Sequence, residues 1–205
     1  TGGERRRCHD MNTAHWIPDL FFRYIEKDVD WYLFSPSEVD LHDCYGEEFN
    51  KRYKKYCKMA DDGEIENYKK VPVKDLWKKM LRALYETGHP WMTFKDSCNN
   101  KANQTGKPNN TIHLSNLCTE ILEVTSEKET AVCNLGSINL GRMVKDGTVD
   151  FDRIGEIVER AVTFLDRVID INFYPTEDAA TSNSRWRPVG FGMMGLQDVY
   201  FKLRM

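Results

Sequence analysis

One long amphipathic segment constrains the fold of this chain more than any other feature. Between residues 152 and 171, apolar side chains recur every three or four positions and form a wide stripe. The stripe consists of Ile154, Ile157, Val158, Ala161, Leu165, Val168 and Ile169. Asp150 is suited to cap the first turn, because its side chain can accept a backbone N–H there. The pattern predicts a helix that must pack against an apolar surface of other elements.

Helical and extended segments alternate along the rest of the chain, which predicts an α/β fold. Apolar spacing predicts helices at residues 17–27, 43–60, 73–87 and from 192 to the end. Short apolar runs predict strands at residues 31–34, 91–94, 121–124 and 130–135. Residues 96–110 are polar and rich in asparagine, and we expect them to form a long loop.

Length and charge limit the classes of function. The chain has 205 residues and a formal net charge of −3, which gives no electrostatic basis for binding nucleic acid or a membrane surface. No apolar stretch approaches the length of a transmembrane helix. The sequence starts at Thr1 rather than Met and stops at Met205 within a predicted helix. We therefore expect residues 1–205 to be one fragment of a larger catalytic domain.

Six cysteines are scattered along the chain without a close framework: Cys8, Cys44, Cys57, Cys98, Cys118 and Cys133. This distribution is typical of reduced thiols in the cytoplasm. No C-x-x-C pair occurs, and Cys8–His9 has no second half, so no metal site is expected. Cys98 is interpreted as structural, whereas Cys44 and Cys57 are expected to lie on the surface of the helix predicted at residues 43–60, without a role in the chemistry.

The segment from Gly190 to Gly195 fits the pattern G-x-G-x-x-G. A dinucleotide site of this kind needs a buried strand before it and an acidic residue about twenty positions later. The preceding residues 184–188 do not read as a core strand, and the chain ends before the acidic position. We interpret the motif as a close-packed turn between a strand and a helix.

Asn116, Cys118 and Glu120 combine an amide, a thiol and a carboxylate at a spacing of two residues. In an extended backbone these side chains share one face. The opposite face would anchor the segment through Leu117, Thr119 and Ile121. A buried cysteine beside turn-capping polar residues is the structural alternative. Cys133 follows fifteen residues after Cys118.

The sequence resembles the large, catalytic subunit of class I ribonucleotide reductase. The resemblance rests on SNLCTEI at residues 115–121 and AVCNLGS at residues 131–137. Four further segments carry it as well: WIPDLF at 16–21, YGEEF at 45–49, TFKDSCN at 93–99 and RPVGFG at 187–192. It covers nearly the whole chain.

The resemblance implies a role for each residue of the cysteine segment. Cys118 would carry a thiyl radical, Glu120 would act as general base, and Asn116 would hydrogen-bond both the sugar hydroxyls and Glu120. Cys133 would be one half of a redox-active pair whose partner cysteine lies outside this sequence. Substrate would contact residues 116–120, which are Asn116, Leu117, Cys118, Thr119 and Glu120. His113 is expected to pack or hydrogen-bond near this segment.

The resemblance also implies the fold and the partners. The fold would be part of a ten-stranded α/β barrel entered by a cysteine finger loop. The reaction would reduce a ribonucleoside diphosphate to its 2′-deoxy form for DNA synthesis. The fragment would carry no cofactor; a metal-containing small subunit would supply the radical. The full-length protein would form a homodimer, bind ATP and deoxynucleoside triphosphates as effectors, and be reduced by thioredoxin or glutaredoxin.

Three alternatives remain open from the sequence. The first is an adenosylcobalamin-dependent reductase, which more often carries Pro and Gly in place of Leu117 and Thr119. The second is a cysteine hydrolase with Cys118 as nucleophile and His89 or His113 as base. The third is a non-catalytic interaction module that binds through the Trp- and Tyr-rich first half of the chain.

Overall fold

The computed structural model describes residues 11–205. Cys8 and His9 lie outside the described residues. The chain divides into two compact units, one that extends to Val124 and one that runs from Thr125 to Met205.

The first unit alternates strands and helices. Its elements are β1 (Ala14–Ile17), α1 (Asp19–Lys27), β2 (Asp30–Phe34), α2 (Gly46–Asp61), β3 (Tyr68–Pro72), α3 (Val73–Thr87), β4 (Trp91–Phe94) and α4 (Lys95–Lys101). Strands β1 and β4 pair in parallel, whereas β2 and β3 are antiparallel. Helix α3 ends at Gly88, whose left-handed φ of 74° suits the position after the last turn.

The core of the first unit is mainly aromatic. The ring of Trp31 stacks on that of Tyr53, with centroids 4.2 Å apart, and Phe21 meets Trp31 edge-on at 5.1 Å. The hydroxyl of Tyr53 accepts the N–H of Tyr32 at 2.7 Å and donates to the Tyr32 carbonyl at 3.2 Å. These two hydrogen bonds join α2 to β2 and offset the cost of removing the buried hydroxyl from water.

The second unit contains two pairs of strands and three helices. Its elements are β5 (Leu135–Asn139), a 3-10 turn (Leu140–Arg142), β6 (Val144–Lys145), β7 (Thr148–Val149), α5 (Phe151–Ile171), α6 (Glu177–Trp186), β8 (Gly190–Met194) and α7 (Leu196–Leu203). Strands β5 and β8 pair in parallel over five residues, and β6 and β7 form a short antiparallel pair.

Helix α5 is the long amphipathic helix predicted from the sequence. Asp150 caps it as expected, since its Oδ1 accepts the N–H of Arg153 at 2.9 Å. Ile169 is fully buried, and most of the predicted stripe is half-buried. Arg187 binds the opposite face through Asp166 at 2.9 Å and Asp170 at 2.7 Å.

The predicted α/β class is confirmed by this alternation of helices and strands. Each sheet in residues 11–205 has two strands, and no closed barrel forms within them. The helices predicted at residues 17–27, 43–60 and 73–87 correspond to α1, α2 and α3, and the strands predicted at 31–34 and 91–94 correspond to β2 and β4.

Two predictions for residues 96–135 were wrong. The expected loop begins with the helix α4, no strand forms at residues 121–124, and of residues 130–135 only Leu135 lies in a strand, β5. A lone bridge between Ser126 and Glu129 lies between the two segments predicted as strands. The N–H of Val124 instead bonds to a side chain, that of Gln104, at 2.8 Å. Backbone groups that find side-chain partners do not need a neighbouring strand.

The expected helix from residue 192 begins only at Leu196, because β8 pairs with β5 as far as Met194. Gly195 makes the turn with a φ of 75°. A Cβ added there would lie 2.7 Å from Oδ1 of Asn139. The glycine motif is therefore a close-packed strand-to-helix turn, as predicted. No sequence pattern indicated α6, whose buried residues are the small or polar Ala179, Ser182 and Asn183.

Candidate active site

Residues 116–120 form a tight turn rather than an extended strand. The backbone N–H of Thr119 donates to the carbonyl of Asn116 at 3.2 Å, and Thr119 has a φ of 70°. A positive φ is uncommon for a β-branched residue and marks a true departure from extended backbone. The prediction that strand alternation places three side chains on one face is therefore wrong.

The turn nevertheless brings the predicted amide and carboxylate together. Nδ2 of Asn116 donates to Oε1 of Glu120 at 2.9 Å, and Oδ1 of Asn116 accepts the N–H of Ile121 at 3.0 Å. The carboxamide thus uses both of its ends to close the turn, and one N–H of Nδ2 has no bond to the described protein. Asn116 and Glu120 form a hydrogen-bonded pair that flanks Cys118.

Cys118 lies within the turn and is exposed. The predicted anchoring by Leu117 and Thr119 is wrong, since both are exposed and Leu117 is 56% accessible. Only Ile121 is half-buried. A four-residue turn has no continuous inner face, so its side chains cannot anchor it by packing as those of a strand would.

Two side-chain amides hold the chain on either side of the turn. Asn99 accepts the N–H of Ile112 at 2.8 Å and donates to its carbonyl at 3.0 Å. Gln104 accepts the N–H of Val124 at 2.8 Å. Ile112 and Val124 are both fully buried. Residues 112–124 are therefore fixed at both ends, although they belong to no sheet.

A histidine pair lies beside the start of this segment. Nε2 of His113 is 2.8 Å from Oδ1 of Asp43, and its ring stacks on that of His42 with centroids 4.5 Å apart. Burial lowers the pKa of His42, and the neighbouring His113 and Lys95 lower it further. The expectation that His113 packs and hydrogen-bonds is confirmed.

Cys133 lies in the second unit and is exposed. The next residue, Asn134, is buried. Nδ2 of Asn134 donates to Oδ1 of Asn183 at 2.7 Å and to the carbonyl of Pro188 at 2.8 Å. The carbonyl of Asn134 accepts the N–H of Gly190 at 2.9 Å. These contacts fix the backbone directly after Cys133, where β5 begins.

The whole chain, residues 1–205, matches the family model described as ribonucleotide reductase, barrel domain. The chain belongs to this family. The family that the sequence motifs predicted is thereby confirmed.

Several curated relatives carry reductase names. The chain is 54% identical over 206 residues to the ribonucleoside-diphosphate reductase subunit alpha of Chlamydia muridarum, covering 99% of this chain and 19% of that protein. It is 46% identical to the large chain from Encephalitozoon cuniculi and 42% identical to the large subunit from Danio rerio, covering 26% and 25% of those proteins. The chain thus spans about a fifth to a quarter of the length of these relatives.

The remaining features concern the helices and the free cysteines of the described residues. No helix within residues 11–205 combines the length and the apolar character needed to cross a membrane. The five cysteines among these residues are all free thiols. Burial raises the pKa of the Cys57 thiol to about 11 and that of Cys44 in the same direction. The prediction that Cys44 lies on the surface of a helix is wrong, because Cys44 is buried and lies just before α2.

The buried polar residues that support the turn at residues 116–120 were not predicted from the sequence. Asn99 lies in the TFKDSCN segment at residues 93–99, which carried the family resemblance without any role for Asn99. The one available signal was the density of asparagines between residues 99 and 110. Glu123 was missed as well: it is 8% exposed, its Oε2 has no hydrogen-bond partner in the described chain, and burial raises its pKa to about 7.

Proposed function

We propose that this chain supplies catalytic residues of a ribonucleoside-diphosphate reductase, which converts ribonucleotides to 2′-deoxyribonucleotides. Membership of the reductase barrel family and the names of the relatives support this activity. The observation that carries the assignment of residues is the 2.9 Å hydrogen bond between Asn116 and Glu120 across a turn that exposes Cys118.

The reaction requires a radical because the C2′–O bond of ribose resists simple displacement. In the proposed mechanism a thiyl radical on Cys118 takes the hydrogen atom from C3′ and becomes a thiol. The resulting carbon radical weakens the bond to the neighbouring 2′-oxygen, which takes a proton from a thiol of the reducing pair and leaves as water. At the end of the cycle Cys118 returns a hydrogen atom to C3′ and becomes a thiyl again.

Glu120 is assigned as the base that takes the proton of the 3′-hydroxyl. Removal of this proton assists loss of water from C2′, so the base must lie close to the group that removes the hydrogen atom. Asn116 is assigned to orient the sugar, since its second N–H can donate to a hydroxyl while the first holds Glu120. Leu117 and Thr119, both exposed in the same turn, are assigned to contact the substrate.

Cys133 is assigned as one half of the reducing pair. Reduction needs two electrons, which two thiols deliver when they form a disulfide. One ribonucleotide and two thiols then give one deoxyribonucleotide, one disulfide and one water. The second sulfur is assigned to a cysteine outside residues 1–205, and thioredoxin or glutaredoxin would restore the pair.

The complete enzyme would be a homodimer of large subunits with a small subunit that generates the radical. ATP and deoxynucleoside triphosphates would act as effectors at sites outside this stretch. The names of the relatives favour diphosphate substrates. The free thiols are in keeping with the reducing conditions of the cytoplasm.

The direct test is substitution of Cys118 in the full-length large subunit, assayed with its small subunit, a ribonucleoside diphosphate and reductant. Cys118→Ser is expected to abolish deoxynucleotide formation, because a hydroxyl O–H bond is too strong for the hydrogen-atom transfer. Cys98→Ser, at a half-buried cysteine of α4, is the matched control and should retain activity. Normal turnover by Cys118→Ser would rule out the proposal.

The alternatives make different predictions. The cysteine hydrolase predicts that thiol-directed acyl electrophiles trap Cys118 and that Cys133 has no role. The adenosylcobalamin-dependent reductase predicts activity with added cobalamin in the absence of any small subunit. The interaction module predicts that Cys118→Ser leaves nucleotide reduction unchanged.

A further inference from the structure

Residues 112–124 carry all three side chains of the proposed radical site on the first unit, yet no sheet holds them. Within the described chain, their only internal backbone bond is the one that closes the turn, from Thr119 to Asn116. The geometry of the site must therefore be set by other groups.

The side chain of Asn99 makes two hydrogen bonds to Ile112, at the start of this segment. Its Oδ1 accepts the N–H of Ile112, and its Nδ2 donates to the carbonyls of Ile112 and Lys95, both at 3.0 Å. Asn99 is 1% exposed. Its carboxamide thus offers Ile112 the donor and acceptor that a neighbouring β-strand would offer, from a rigid helix.

Gln104 makes the corresponding contact at the other end. Its Oε1 accepts the N–H of Val124 at 2.8 Å, and its own carbonyl accepts Nδ2 of Asn110 at 2.9 Å. Gln104 and Asn110 are both buried. The asparagine-rich stretch from residue 99 to residue 110 therefore supplies side chains that hold both ends of residues 112–124.

We propose that Asn99, assisted by Gln104, is a positioning residue that sets the distance between the Cys118 sulfur and the ribose C3′. This inference rests on the proposed function. Hydrogen-atom transfer depends steeply on the separation of the reacting atoms, and a shift of about 1 Å can reduce a rate on the order of 100-fold. Ile112 precedes Cys118 by six residues. Hydrogen bonds of His113 with Asp43 and of Ser115 with Trp91 also hold the residues between them, so we expect Asn99 to act on the turn together with these contacts.

The test measures a quantity that loss of folded protein cannot change. In the full-length large subunit with its small subunit, the deuterium isotope effect on kcat/KM is measured with a ribonucleoside diphosphate labelled at C3′. If Asn99 positions Cys118, Asn99→Ala lengthens the transfer distance and makes hydrogen abstraction more rate-limiting. The expected result is a larger isotope effect, a fall in kcat on the order of 10- to 100-fold, and a KM within about 2-fold of the wild type.

A matched control removes a buried amide elsewhere in the same unit. Asn50 is 5% exposed, and its Nδ2 donates to Glu47 on its own helix α2. Asn50→Ala is expected to lower the yield of folded protein without changing the isotope effect. A conservative variant, Asn99→Asp, keeps the acceptor for Ile112 but loses both donors, so its isotope effect should lie above that of the wild type as well.

A second pair of variants decides the question if Asn99→Ala does not fold. Gln104→Leu removes the acceptor for the Val124 N–H, whereas Gln104→Glu retains it. The isotope effect should rise in the first and stay closer to wild type in the second. Unchanged isotope effects in the folded Asn99 and Gln104 variants would overturn the positioning role. Failure of the wild-type enzyme to reduce ribonucleotides would instead overturn the proposed function.

Discussion

The two cysteines assigned to the reaction are held by different kinds of structure. Cys118 lies in a turn whose flanks are tied by the side-chain amides of Asn99 and Gln104. Cys133 lies one residue before Asn134, at the entry to a parallel strand pair of five residues. A turn held by single side chains can place a radical against one sugar carbon but depends on each of its contacts. A strand pair fixes the neighbouring residue through many backbone hydrogen bonds, so the loss of one bond should change the position of that residue little.

The largest expected difference between the two regions follows from substituting Cys133. Cys133→Ser should abolish steady-state formation of deoxynucleotides, since the two electrons can no longer come from a disulfide-forming pair. Hydrogen abstraction at C3′ should persist, because Cys118 is intact. The measurement is steady-state turnover of the full-length enzyme with reductant. A Cys133→Ser variant with normal turnover would remove this residue from the reducing pair.

Glu120→Gln should have the next largest effect, confined to the turn. Gln cannot accept a proton, so kcat should fall about 10²- to 10⁴-fold, the usual contribution of a general base. The hydrogen bond with Asn116 can persist through the amide oxygen, so KM should change little. Steady-state kinetics would reveal the split between kcat and KM. Equal losses in binding and turnover would instead indicate that Glu120 holds the substrate rather than a proton.

A smaller effect is expected at the β5–β8 strand pair, which follows Cys133. Asn134→Ala removes the bonds to Asn183 and Pro188 and should destabilise the second unit by about 1–3 kcal/mol, since buried groups lose their partners. Because the β5–β8 pairing remains, kcat should fall less than for Asn99→Ala. Chemical denaturation and steady-state assays of the two full-length variants make the comparison. A greater catalytic loss for Asn134→Ala would reverse the proposed difference between the regions.

The smallest effect concerns the pH dependence of the segment's far end. Burial raises the pKa of Glu123 from 4.5 to about 7, so ionisation of Glu123 opposes folding. Its contribution to stability is fully present below pH 4.5 and is lost as the pH rises to about 7. Glu123→Gln should remove this dependence and stabilise the segment at neutral pH on the order of 1–3 kcal/mol. Hydrogen exchange of the Val124 amide, corrected for its intrinsic rate, measures the change; identical pH profiles would contradict the assignment.

The sequence predicted the elements that large apolar side chains define. Periodic apolar residues identified α1, α3 and α5, and Asp150 marked the start of α5 correctly. The sequence failed where small or polar side chains form the buried surface. Helix α6 buries Ala179, Ser182 and Asn183, and such residues give no hydrophobic period.

The site was predicted only in part, because polar side chains also form its buried supports. The pairing of Asn116 with Glu120 was foreseen, but the assumed strand was wrong because Thr119 adopts a left-handed conformation. The supports at Asn99 and Gln104 lie thirteen and twenty residues from the groups that they bind. Contacts at that separation depend on tertiary folding, and no local pattern in the sequence specifies them.

In the proposed reaction, Cys118 takes the hydrogen atom from C3′ and Cys133 supplies electrons as one half of the reducing pair. The most direct measurement follows loss of a 3′-hydrogen label from the substrate in the full-length enzyme, for Cys118→Ser and Cys133→Ser in parallel. We predict no release of the label into water with Cys118→Ser. With Cys133→Ser we predict release without deoxynucleotide formation, because the cycle stalls and the labelled hydrogen on the Cys118 thiol exchanges with water before it can return to C3′. Equal label release by the two variants would contradict the assignment of Cys118.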